Sequence, residues 1–101
     1  PQSLSEGQKR RVSIAAVAAS QPELLLLDEP TVGQDVEGLR TLLHALNLLH
    51  TRTGSTIVTV THDRRCASAL CDRAAWLKEG RIEKTGGPEL IEAVWGDSAA
   101  L

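Results

Sequence analysis

Apolar residues change their period along this chain, and period is the primary sign of secondary structure. Residues 5–20 read as a helix: Ser5 supplies a capping hydroxyl, Gln8 follows three positions later as its capping-box partner, and Pro22 halts the helix soon after its end. Then comes "ELLLLDEP", a four-leucine run bounded by acids and a proline. So short a run has no readable period. Its flanks favour a parallel strand buried on both faces, where alternation disappears. From Val36 to His50, Leu39, Leu42, Leu43 and Leu46 recur at helical spacing and Leu49 extends the stripe, which predicts an amphipathic crossover helix. Gly54 interrupts it. Residues 55–61, "STIVTVT", are rich in β-branched side chains and predict a second strand. Strand, helix, strand is a βαβ unit, which is right-handed in nearly every case.

After Thr61 the chain runs through a polar "HDRR" and a short helix to about Cys71, then a strand over Ala74–Leu77. A turn at Glu79 and Gly80 leads into "RIEKTG" as an antiparallel partner. Pro88 suits the first position of a last helix running to about Trp95, with "GDSAAL" expected to fray. The fold class is therefore α/β, a parallel sheet followed by an antiparallel hairpin near the C-terminus.

Composition limits the rest. Eleven Lys and Arg stand against 13 Asp and Glu, and a net charge of −2 gives no whole-protein attraction to nucleic acid or to an anionic membrane. The apolar runs "IAAVAA" and "LLLL" fall far short of the roughly 20 residues that span a bilayer. With no Phe or Tyr, and with Trp76 and Trp95 far apart, base-stacking platforms are not expected, nor is a nucleic-acid partner. Cys66 and Cys71 have no second pair to complete a zinc site or a disulfide framework, so they read as reduced packing residues. Pro1 stands where a translated chain has Met and no signal-peptide pattern follows, so a start inside a larger gene product is expected.

The chemistry gathers at element ends. A buried strand that finishes in Asp28 and Glu29 places two carboxylates at the carboxyl edge of a parallel sheet, where open α/β sheets bind ligands. His62 closes the next strand at the same edge. If the strands are neighbours, the three converge on one crevice fit for a divalent metal, a water-activating carboxylate and a polar sensor. Spacing alone also leaves open a solvated acidic loop with an unrelated histidine. The opening segment poses a second question, because Lys9, Arg10 and Arg11 crowd the positive end of the helix dipole, where anions are favoured. A capping box beside a surface charge run is one answer, and a bound anion is the other.

Read together, "LSEGQ", "LLLLDEPT", "GQD" and "TH" stand in the order and approximate spacing found in the ATPase subunits of ABC transporters, which the chain resembles from Pro1 to about Trp95. The "PTVGQD" form is most similar to the energy-coupling-factor and cobalt-type importer ATPases. The resemblance implies a P-loop NTPase-like sheet. It makes Leu4–Gln8 the signature motif, Leu24–Asp28 the Walker B strand, Glu29 the catalytic carboxylate, Val32–Asp35 the D-loop and His62 the switch histidine. It further implies that Asp28 holds Mg²⁺ through water, that Glu29 orients the attacking water, and that His62 contacts the γ-phosphate of ATP. Ser5, Gly7 and Gln8 would complete the ATP site of a second subunit in a head-to-tail dimer, and Asp35 of the D-loop is expected with them among the cofactor-binding residues. Integral membrane transporter subunits would be the further partners, at the cytoplasmic face of a membrane.

Two positions depart from the pattern. Glu6 replaces the commoner glycine of "LSGGQ" and is expected to point outward, away from a phosphate. Gln34 replaces the more frequent leucine of the D-loop. No "GxxxxGK[ST]" phosphate loop occurs, so residues 1–101 are expected to be the carboxyl-terminal part of one nucleotide-binding domain, lacking the phosphate-loop strand and inactive alone. The alternatives are a soluble ABC-type ATPase of translation or DNA maintenance, and a non-catalytic truncated remnant.

Overall fold

The computed structural model of the chain describes the backbone of residues 4–100 and the side chains of residues 4–95. In chain order the elements are α1 (Glu6–Ala18), β1 (Leu24–Asp28), α2 (Val36–Thr53), β2 (Thr56–Val60), α3 (Arg64–Leu70), β3 (Ala74–Lys78), β4 (Arg81–Gly86) and α4 (Glu89–Ala100). They group into two compact units that divide between Asp63 and Arg64.

In the first unit α1 begins as its sequence requires. The Ser5 hydroxyl accepts from the Gln8 amide at 3.1 Å, and the Gln8 side chain accepts from the Ser5 amide at 2.9 Å. Two of the four donors that a helix start leaves unpaired are thus satisfied reciprocally. β1 and β2 pair in parallel without a slip, from Leu24 opposite Thr56 to Asp28 opposite Val60. Ser55, which is buried, donates its hydroxyl to the Pro22 carbonyl, and the Thr56 amide donates to Glu23 at 2.9 Å. Those two bonds fix the register before the ladder begins.

α2 runs three residues beyond the expected end at His50, because nothing in Thr51–Thr53 stops a helix. It ends at Gly54, whose φ of 72° is the left-handed cap conformation that glycine adopts without a Cβ penalty. Leu39, Leu42 and Leu46 of α2 are buried, as are Leu25 and Leu27 of β1, and these residues form the core of the unit. The expectation that β1 is covered on both faces is corrected here. Leu25 and Leu27 are 3% and 8% exposed, but Leu24 and Leu26 are 51% and 68% exposed. The physical reason is the single crossover helix: one βαβ unit covers one face of its sheet and leaves the other open.

In the second unit β3 and β4 form the expected hairpin. Glu79 and Gly80 have φ of 52° and 76°, so both central residues take the positive φ of a type I′ turn. Leu90, Ile91 and the fully buried Cys66 make a small core where α4 packs on the hairpin and on α3. Both cysteines are free thiols, and burial raises the pKa of Cys71. α4 extends to Ala100, past the expected end at about Trp95. The expected fraying of Leu101 lies outside the described residues. Among the described residues no helix is long and apolar enough to cross a membrane.

Candidate functional site

The parallel pairing brings the carboxyl ends of β1 and β2 side by side, and the first unit carries every site residue read from the sequence. The Glu29 amide donates to the Val60 carbonyl at 2.7 Å, one step beyond the ladder. Glu29 then turns through a φ of 48°, a left-handed backbone that non-glycine residues adopt at a cost. Its carboxylate is held across the strand ends by His62. The His62 amide donates to Glu29 Oε2 at 3.3 Å, and His62 Nδ1 meets Glu29 Oε1 in a short contact. That hydrogen bond to His62 is the main cause of a Glu29 pKa below the ordinary carboxylate range, with burial opposing it.

Behind this pair, the Thr31 hydroxyl donates to Asp63 Oδ2 at 3.3 Å, and the Asp63 amide donates to Thr61 Oγ1 at 2.9 Å. The segments that follow the two strands are therefore tied to each other twice, once through Glu29 and once through Thr31. Asp28 is exposed and shares the open face of β1 with Leu24 and Leu26. The structure thus places Glu29 and His62 in contact and Asp28 at the last register position of the sheet, but it does not gather the three into the metal-holding group expected, because the alternation of β1 leaves Asp28 on the open face.

The amino end of α1 lies against the loop before α2. Asp35 caps α2, its Oδ1 accepting from the Gly38 amide at 2.7 Å. Gly7 is buried, and a Cβ placed on it would lie 2.5 Å from the Gly33 carbonyl oxygen, so only glycine permits this approach. Gln34 reaches back to α1, its Nε2 donating to the Gly7 carbonyl at 2.9 Å. Ser5, Gly7, Gln8 and Asp35 are consequently carried by two segments in direct contact. Glu6 is exposed and pairs with Lys9 at 3.5 Å, so it points outward as expected.

The cations of α1 do more than set a potential. Arg10 Nη1 donates to the carbonyls of Glu29 at 3.0 Å and Asp28 at 3.4 Å, and Arg11 donates to Gln34 Oε1. Sequence reasoning missed these roles, because a charge run at a helix start looks the same whether it faces solvent, an anion or backbone carbonyls. The one available signal was Gln34, a polar residue at a position that more often holds leucine.

Among the described residues no group of three or more His, Cys, Asp and Glu is placed to hold a metal by itself. Mg²⁺ does not need such a cage, since it takes one or two carboxylates and completes its shell from water and phosphate. An exposed Asp28 beside Glu29 is a donor set of that hard-oxygen kind. The first turn of α1 fits an anion in the same sense, because its leading amides have no carbonyl partner within the helix.

The sequence and fold have counterparts among known proteins. The family model described as ABC transporter matches residues 1–32. The cobalt import ATP-binding protein CbiO of Rhodobacter capsulatus is 48% identical over 101 residues, a match that takes in 97% of this chain and 34% of that protein. A dimeric ATP-binding cassette, MJ0796, solved in a post-hydrolysis state bound to ADP and Pi, superposes with a TM-score of 0.78 at 35% identity, over 87% of this chain and 38% of that one. CbiO1 from Clostridium perfringens, part of the ABC transporter complex cbiONQ, gives 0.74 at 37% identity, over 96% and 38% of the two chains. The chain belongs to the ABC transporter ATP-binding family, and its parallel sheet and antiparallel pair are those of the ABC ATPase cassettes. It spans 34% of the length of the CbiO relative it matches.

Proposed function

We propose that this chain is the carboxyl-terminal part of one nucleotide-binding domain of an ABC importer ATPase, contributing half of each of two ATP sites in a head-to-tail dimer. The observation that carries the reading is the Glu29–His62 contact across the ends of two parallel strands. It holds a carboxylate with lowered pKa, ionised at neutral pH, where it can accept a hydrogen bond from water. Glu29 orients and polarises the water that attacks the γ-phosphate, and His62 fixes the carboxylate and reaches the phosphate. Asp28 would hold Mg²⁺ through water, and the ion would supply charge to neutralise the phosphates.

Ser5, Gly7 and Gln8 serve the ATP gripped by the second subunit. The Ser5 hydroxyl, while accepting from Gln8, keeps its own proton to donate, and Gly7, by lacking a Cβ, lets the Gly33 carbonyl pack against this end of α1. Asp35, which caps the start of α2, belongs to the same ATP site. The relatives named above are an import protein and transporter cassettes, which favours transport over translation or DNA maintenance. Integral membrane subunits at the cytoplasmic face of a membrane are the partners this reading calls for.

The test is Glu29→Gln in the full-length protein. Turnover of ATP should fall by at least the roughly 10²–10⁴-fold typical of general acid–base groups, with ATP binding retained. Unchanged turnover would remove Glu29 from the role of base.

A further inference from the structure

We propose that Gln34 is a positioning residue whose side-chain amide locks the 31–35 loop to the amino end of α1. The segment assigned to one ATP and the segment assigned to the other then move as one body. The inference rests on the reading above for the identity of the ligand, but the lock itself stands on the geometry.

Both functional groups of the Gln34 amide are used, and both are used on the same helix. Nε2 donates to the Gly7 carbonyl at 2.9 Å, and Oε1 accepts from the Arg11 guanidinium one turn further on. A leucine could make neither bond. The surroundings are shaped to this amide. A Cβ on Gly7 would meet the Gly33 carbonyl oxygen at 2.5 Å and lie 3.4 Å from Gln34 Nε2, and a Cβ on Gly38 would come within 2.6 Å of Gln34 Oε1 and strike Arg11. Gly7 on α1 and Gly38 on α2 therefore leave room for the amide between the two helices. The neighbouring Arg10 binds the carbonyls of Asp28 and Glu29. One face of α1 thus grips both ends of the segment leading from β1 to α2: Arg10 holds the carboxylate end, and Arg11 with Gln34 holds the Asp35 end. Any shift of α1 on meeting a ligand is transmitted to Glu29 and Asp35 through these bonds, with the Gln34 amide satisfied at both ends.

The test uses the full-length protein and Gln34→Leu, which removes donor and acceptor while filling similar space. The Lys9 and Gln34 amides bond to the Ser5 and Thr31 carbonyls at 2.9 and 3.2 Å. Their hydrogen exchange should accelerate by about tenfold or more, while the Gly54 amide at the far end of α2 is unchanged. In steady-state turnover kcat should fall by up to about 10²-fold, the scale of a small misplacement at a reacting site, with little change in KM for ATP. Arg11→Met combined with Gln34→Leu should be no worse than the worse single variant, since both break one network. Gln34→Glu, which keeps an acceptor for Arg11, should recover part of kcat.

Unchanged exchange at Lys9 and Gln34, or losses that add in the double variant, would overturn the proposal. Should the leucine variant accelerate exchange everywhere, Gln34→Glu decides: faster exchange confined to Lys9 and Gln34 supports the lock, and none overturns it. If the unsubstituted protein turns over no ATP, the ATPase reading fails while the exchange comparison still decides the lock.

Discussion

At the scale of single residues, the site depends on bonds that its letters do not announce. Asp28, Glu29 and His62 were legible as chemistry because strand ends in a parallel sheet gather there, but the left-handed turn at Glu29 was not. That turn swings the Glu29 carboxylate off the alternation that leaves Asp28 on the open face, and no local residue preference marks it. The Glu29–His62 bond has a sign that can be checked. A carboxylate whose folded pKa lies below its ordinary value of 4.5 contributes stability above that value and loses it as pH falls through the lowered folded pKa. His62→Ala should therefore lower stability at neutral pH, and its difference from the parent should shrink once pH falls well below 4.5. The effect is modest, because the His62 side chain is 94% exposed and exposed pairs contribute about 0.2–1 kcal/mol. Denaturant titrations of both proteins across this range measure it, and a difference independent of pH would show that the contact acts through packing instead.

Elements were more legible than residues where their ends carry their own chemistry. The capping box put the start of α1 at Glu6, and the Glu79–Gly80 turn put the start of β4 at Arg81. Both signals are local, so they can be read without knowing what packs from elsewhere. β1 was misjudged for the opposite reason. Four leucines in succession read the same whether one face of the strand is covered or both, and the answer depends on what packs from elsewhere. The ends of α2 and α4 were placed short because polar or small residues lose the apolar stripe without breaking the helix. The capping box also supplies a stability prediction at this scale. Ser5→Ala removes the acceptor of the Gln8 amide and should cost about 0.5–2 kcal/mol, while Ser5→Gly should cost only a few tenths. Chemical denaturation of the two variants ranks them, and equal losses would mean that the hydroxyl contributes nothing as a cap.

At the scale of the whole molecule, the open face of the β1–β2 sheet becomes the dominant liability. Leu24, Leu26, Val58 and Val60 are 51%, 68%, 48% and 48% exposed, and the shared register sets all four on one surface. Among the described residues β2 has β1 as its strand partner on one side and no strand on the other. An apolar face beside an open edge of β-branched residues is the combination that invites pairing between chains, whereas natural sheets blunt such edges with charge, proline or a covering element. The alternation across β2 sharpens the point, since Val58 and Val60 present to solvent the residue type that strands normally turn inward. Residues 1–101 expressed as a separate polypeptide should therefore self-associate or aggregate through residues 55–61, and should turn over no ATP above background. Leu26→Lys with Val58→Lys should suppress that association without touching the buried Leu25, Leu27, Leu42 and Leu46 core. Sedimentation gives the mass and hydrogen exchange gives the protection along β2. A compact monomer with strong protection throughout residues 55–61 would show that the sheet is closed by other means, and the association argued from its open face would then be wrong.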